Sequence, residues 1–163
     1  MKKSIYSIPI STLSGDSNLL SKMDGNVCLI VNVASECGLT KQYSKLEDLH
    51  RKYSPKGFSV IGVPCNQFNN QEPGTPDEIS NFCSKTYGVT FPLAEKIDVN
   101  GFSQHELYLH LNIFEDSLGH RGEVRWNFEK FLISRDGVVI SRFSPQTEPD
   151  DLQIINAIES ALM

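Results

Sequence analysis

The sequence predicts an α/β protein with a central mixed sheet flanked by helices. Two observations carry that prediction. Near-continuous apolar runs, VCLIVNV at 27–33 and FSVIGV at 58–63, are separated by a stretch of helical periodicity. This is the pattern of a parallel crossover in a sheet covered on both faces. Further on, Phe131 to Ile133 and Val138 to Phe143 flank Arg135-Asp136-Gly137, a hairpin signal, and an amphipathic stretch closes the chain.

The elements follow in order. Val27 to Val33 reads as the first buried strand. From Thr40 onward, Leu39, Tyr43, Leu46, Leu49 and Tyr53 recur at helical spacing, with Lys41, Lys45, Glu47 and Asp48 on other faces. Pro55 and Gly57 stop that helix, and Phe58 to Val63 form the second buried strand. A polar loop, CNQFNNQEPGTP, ends in Thr75-Pro76-Asp77-Glu78, a capping box with proline at the first helical position. The helix that starts there carries Ile79, Phe82 and Cys83 on one side and stops near Gly88. A strand-loop-helix unit is expected from Phe91 to about Phe114. Leu152, Ile155, Ile158 and Leu162 mark a closing helix. A right-handed parallel crossover followed by an antiparallel hairpin and a helix is the thioredoxin-like layout. With no repeat, low-complexity tract or linker, one domain over residues 1–163 is expected.

Composition narrows the function classes. With 163 residues, 39% of them hydrophobic and 21% charged, the chain has enough apolar surface for a core and is no disordered segment. A net charge of -5 with scattered basic residues favours neither nucleic acid nor an anionic membrane. The opening MKKSIYSIPISTL alternates apolar residues with serine and is broken by Pro9, so it lacks the continuous apolar segment of an export signal. No run approaches the roughly 20 apolar residues of a membrane helix. A soluble, cytoplasmic protein is expected. The 4 histidines have no metal-ligand spacing, and no metal or other cofactor is expected.

The chain has 4 cysteines and no CxxC pair, so neither a zinc clip nor a thioredoxin-type dithiol is signalled. Cys28 lies within a strand and reads as core. Cys65 ends the second strand and reads as structural. Cys83 falls on the apolar side of its helix, where a core thiol is the favoured reading. Cys37 stands where a buried strand hands over to a helix. Free N–H groups and the positive dipole end there stabilise a thiolate, and Gly38 lets the backbone come close. A small buried hydrophobe fits the same place, and position alone leaves both readings open. Glu36 opposes a thiolate unless its carboxylate points away. Trp126 would ordinarily be core, but in RWNF it stands between Arg125 and Asn127.

Taken together, NVASECGLT (32–40), PCNQFNNQEPG (64–74) and RWNFEKFL (125–132) resemble the three signature segments of the glutathione peroxidase family. Their order and spacing are kept, and the resemblance runs from about Tyr6 to the C-terminus. It implies a thioredoxin-like fold, a peroxidatic residue at Cys37, and polar partners at Gln71, Trp126 and Asn127. NFCSKTYGVTFPLAEKIDVNG (81–101) is similar to the cysteine-using, thioredoxin-dependent branch, which implies a resolving cysteine at Cys83. The long insertion of the tetrameric animal members is missing, which by analogy implies a monomer. Two departures stand out: Glu36, where Gln or Lys is more usual, and SQHELY (103–108), where an HPLY-like stretch is usual.

The implied chemistry is attack of the Cys37 thiolate on a peroxide O–O bond to give a sulfenic acid. Gln71, the Trp126 indole N–H and the Asn127 amide would donate hydrogen bonds to the developing charge. Cys83 would then form an intramolecular disulfide, reduced by thioredoxin or, as a lesser expectation, by glutathione. The alternative is a redox sensor or relay that passes oxidation from Cys37 to a partner protein as a mixed disulfide.

Overall fold

The computed structural model describes residues 3–163; Met1 and Lys2, the first of the two opening lysines, lie outside the described residues. Four strands, β1 (Val27–Val33), β2 (Phe58–Pro64), β3 (Lys130–Ile133) and β4 (Val139–Phe143), form one sheet in the order β2-β1-β3-β4. β1 pairs parallel with β2 and antiparallel with β3, and β3 pairs antiparallel with β4. The helices are α1 (Gln42–Tyr53), α2 (Pro76–Tyr87), α3 (Glu106–Leu111) and α4 (Leu152–Leu162). This is the mixed, thioredoxin-like arrangement the sequence predicts.

Alternation along β1 divides the core in two. Val27, Leu29, Val31 and Val33 pack with Tyr43, Leu46, Leu49 and Tyr53 of α1, Ile79 and Cys83 of α2, and Ile154 and Ile158 of α4. Cys28 and Ile30 face the other way, against Leu107 and Leu111 of α3 and the N-terminal Ile5, Tyr6, Ile8 and Ile10. Those last residues, alternating with serines and broken by Pro9, were read only as lacking an export signal, and their place in the core was not legible in the sequence.

The punctuation behaves as its chemistry requires. α1 ends at Tyr53, a turn over Ser54–Lys56 follows, and Gly57 takes a left-handed φ of 94°. Thr75 and Glu78 form a reciprocal capping box on α2, and Gly88 closes that helix at φ 61°. Gly137 turns the β3–β4 hairpin at φ 79°.

The strand expected from Phe91 is reduced to isolated bridges, Leu93 to Gly62 and Ala94 to Thr12. Pro92 has no N–H to offer a ladder. Only its carbonyl takes the Gly62 N–H (3.0 Å), while the Ala94 N–H reaches the Gly62 carbonyl (2.8 Å). A Cβ at Gly62 would lie 2.7 Å from the tip of the Leu93 side chain and 3.1 Å from the Phe91 ring, so any side chain there would displace them. The helix of that unit is real but short, as α3.

Candidate active site

The site assembles where β1 and β2 end and β3 begins, because parallel strands deliver their following loops to one end of a sheet and β3 runs back from it. After Val33 the chain does not enter a helix directly. A turn spans Cys37 to Lys41, and α1 starts only at Gln42. Thr40 organises the turn: its hydroxyl donates to the Ala34 carbonyl (2.8 Å) and accepts the Cys37 N–H (2.9 Å). The Leu39 N–H then points at the Cys37 sulfur, 3.3 Å away. The N–H that meets the sulfur thus belongs to the turn ahead of α1 rather than to the helix's first residues.

The four thiols are all free and differ in setting. Burial pushes the Cys28 thiol up to about 12 and the Cys83 thiol up to about 11, and it raises Cys65 as well. These three are held protonated in the core. Cys37 alone is half-buried, at the rim of the cluster that also contains Cys83. Cys83 lies on α2 close to the phenol of Tyr43, whose buried hydroxyl has no oxygen or nitrogen partner.

Gln71 and Asn127 are brought together: the Asn127 amide N–H donates to Gln71 Oε1 at 2.9 Å. Gln71 also touches the Cys37 turn, its carbonyl accepting the Glu36 N–H at 3.0 Å. Glu36 itself is exposed. Trp126 is half-buried and packs its ring on Phe68, with centroids 5.6 Å apart. The turns on both sides are strained. Asn69 and Asn70 have φ of 54° and 52°, which asparagine tolerates, but Phe128 has φ 69°, an outlier for a bulky residue. Such conformations persist only where the surroundings enforce them.

Three sets of residues that sequence reasoning passed over supply that enforcement. Asn32, the polar residue inside β1, binds the Trp126 carbonyl through Nδ2 (3.0 Å) and the Glu129 N–H through Oδ1 (3.1 Å), and its own carbonyl takes the Phe128 N–H (2.7 Å). Buried Glu129 pairs with both Arg125 and the buried Arg142, which also donates to backbone carbonyls of Asn112, Phe114, Gly122 and Glu123. Glu72, fully buried beside Gln71, accepts the Ser35 N–H at 3.1 Å. The available signal was a charged or amide group inside an apolar run, as in VCLIVNV and VVISRF, because such a group must find a partner.

The chain therefore joins a half-buried thiol with an N–H at its sulfur to a linked Gln-Asn pair and a tryptophan. The glutathione peroxidase family model matches residues 5–112. "Glutathione peroxidase-like peroxiredoxin 2" of Saccharomyces cerevisiae is 47% identical over 153 residues, covering 93% of this chain and 94% of that protein. "Thioredoxin/glutathione peroxidase BtuE" of Escherichia coli is 43% identical over 181 aligned positions, covering 99% of each. Among solved structures, Trgpx in its apo form superposes with a TM-score of 0.79 at 37% identity, covering 99% of this chain and 97% of that one. With the family model spanning well over half its length, and relatives of this identity along almost all of it, the chain belongs to the glutathione peroxidase family.

Proposed function

We propose that the chain is a single-domain, monomeric thiol peroxidase in which hydrogen peroxide or an organic hydroperoxide oxidises Cys37. One observation carries this reading: Cys37 is the one thiol not sealed in the core, and its turn aims an N–H at the sulfur while leaning on the Gln71–Asn127 pair. The Cys37 thiolate attacks one peroxide oxygen, the O–O bond breaks, and the sulfur becomes a sulfenic acid. The other oxygen leaves with the bonding pair and takes a proton to become water or an alcohol. Gln71, Asn127 and the Trp126 indole N–H donate to the charge that develops, in a site already shaped for it.

Cys83 resolves the intermediate. Its thiol displaces hydroxide from the sulfenic sulfur, a disulfide forms, and water leaves. Two electrons from a dithiol carrier, thioredoxin above glutathione, return both thiols by exchange. The name of the Escherichia coli relative joins these same two reductants. A reducing cytoplasm both holds that carrier and keeps the free thiols reduced, so it is the compartment this chemistry favours. Among the described residues no helix is long and apolar enough to cross a membrane.

The test is Cys37→Ser, assayed for peroxide consumption with a thioredoxin system beside a thermal melt. Turnover should vanish while the melting temperature stays close to that of the parent. Substantial turnover by the folded variant would refute the assignment.

A further inference from the structure

Glu72 has no part in the chemistry above, yet it grips the reactive turn. It has no exposed surface. Its Oε1 accepts the Ser35 N–H at 3.1 Å, while Oε2 and the neighbouring Ser35 hydroxyl are buried without partners. The preceding residue, Gln71, takes the Glu36 N–H at 3.0 Å. Two consecutive residues therefore hold the two consecutive N–H groups just ahead of Cys37. Glu72 is itself anchored, its own N–H donating to Asn66 Oδ1 at 2.8 Å. On its far side is a cavity of about 380 Å³, lined also by Ser35 and Glu36 and by Glu78, Ile79 and Phe82 of α2. The carboxyl stands between the two elements that bear the reacting thiols.

We propose that Glu72 is a positioning residue for Cys37: ionised, it holds the Ser35–Cys37 turn in its reactive shape, and protonated, it loosens that hold. The inference rests on the peroxidatic reading of Cys37. Several groups face the carboxyl. Burial raises its pKa above the ordinary carboxylate range, and Glu36 from the same turn acts in the same direction. The Ser35 N–H and the charge of Lys96 act the other way. Glu78 lies across the cavity on α2. Tyr43 of α1, Cys65 at the end of β2 and Cys83 of α2 also sense Glu72, and burial keeps all three neutral. The sign follows. As pH falls through the raised pKa, the carboxylate gains a proton and becomes a weaker acceptor for the Ser35 N–H. The turn relaxes and peroxide oxidation slows.

The experiment is stopped-flow oxidation of the pre-reduced full chain by hydrogen peroxide between about pH 5 and 8, followed by the fluorescence of Trp126, the 1 tryptophan present. Wild type is compared with Glu72→Gln and Glu72→Ala, and disulfide reduction by thioredoxin is timed in the same proteins. Glu72→Gln keeps shape and a neutral acceptor, so it should fold. It should oxidise about tenfold more slowly at neutral pH, lose the part of the acid-side decline that Glu72 supplies, and be reduced at the parental rate. Glu72→Ala should be slower still, and recovery in the glutamine variant relative to alanine separates holding from mere packing. A Glu72→Gln profile that superimposes on wild type overturns the inference. So does a loss equal in both half-reactions and constant with pH, which marks a general fold defect. If wild-type Cys37 is not oxidised by peroxide at all, the peroxidase reading itself falls, an outcome distinct from either.

Discussion

At the scale of single residues, the proposed mechanism asks Gln71, Trp126 and Asn127 to donate to the charge that develops at Cys37. Trp126, Asn127 and Gln71 come from two loops, and Asn127 links the two through its bond to Gln71. Asn32 grips the Trp126 carbonyl, and the Gln71 carbonyl grips the Cys37 turn. Removing one preorganised donor has cost on the order of 2.7–4 kcal/mol in enzymes where one donor dominates. Here the charge is shared among several donors, so the cost of each is smaller. Gln71→Ala, Trp126→Phe and Asn127→Ala should each slow peroxide oxidation by about tenfold or more and leave reduction by thioredoxin much less affected. Stopped-flow traces for the two half-reactions check this, and parental oxidation rates in all three variants would contradict the site. The thiol proposed to resolve the intermediate is set the opposite way. Burial keeps Cys83 protonated at neutral pH, so on the proposed mechanism it reacts only once α2 moves.

At the scale of elements, the proposed mechanism requires α2 to move. A helix of 12 residues is marginal by itself in water. Among its residues only Ile79 and Cys83 are buried. Full burial of one side chain like Ile79 contributes about 1.5–3 kcal/mol, and the capping box adds about 1. Cavities of about 320 and 380 Å³ lie along the helix, one against Thr12–Ser14, Val89 and Phe91–Leu93, the other against Ser35, Glu36 and Glu72. The segment after it is fastened separately, with Thr90 donating to buried Glu47 of α1 through its N–H at 2.8 Å. Opening α2 is therefore cheap beside opening the sheet. A disulfide needs Cα atoms within about 7 Å, and Cys83 is locked into the core side of a helix. Hydrogen exchange across 76–87, measured before and after one equivalent of peroxide, should show protection lost as the Cys37–Cys83 bond forms. Unchanged protection with a complete disulfide would mean the two cysteines were already neighbours.

At the scale of the whole molecule, the sheet is closed off unevenly. Beside β2, the bridges from Leu93 and Ala94 and the N-terminal segment cover the edge. At the other edge β4 has β3 as its one strand neighbour, and Ile140 within it and Val138 just before it are exposed. The core is complete within one chain, since both faces of β1 are sealed by the chain's own helices and N-terminal segment. Light scattering at micromolar concentration should give a monomer near 18.3 kDa. A stable tetramer, or a dimer paired through β4, would refute that.

The sequence alone determined the elements whose cause is local. VCLIVNV and FSVIGV are strands because nothing polar enough interrupts them, α2 starts at Thr75-Pro76 because its cap is written there, and Gly137 turns the hairpin. The motifs around Cys37, Gln71 and Trp126-Asn127 were legible as motifs, and the family resemblance supplied their roles. Periodicity did not carry the strand expected at Phe91, because Pro92 removes the N–H a ladder needs and the partner, Gly62, is distant in sequence. Only the tertiary structure decided which buried polar groups serve the site. Asn32, Glu72 and Glu129 look like blemishes in apolar or loop stretches until their partners at Trp126, Ser35 and Arg142 are brought within bonding distance. A buried polar group must be paired, but its partner is chosen by how distant segments meet in space, and that is information no local stretch of chain contains.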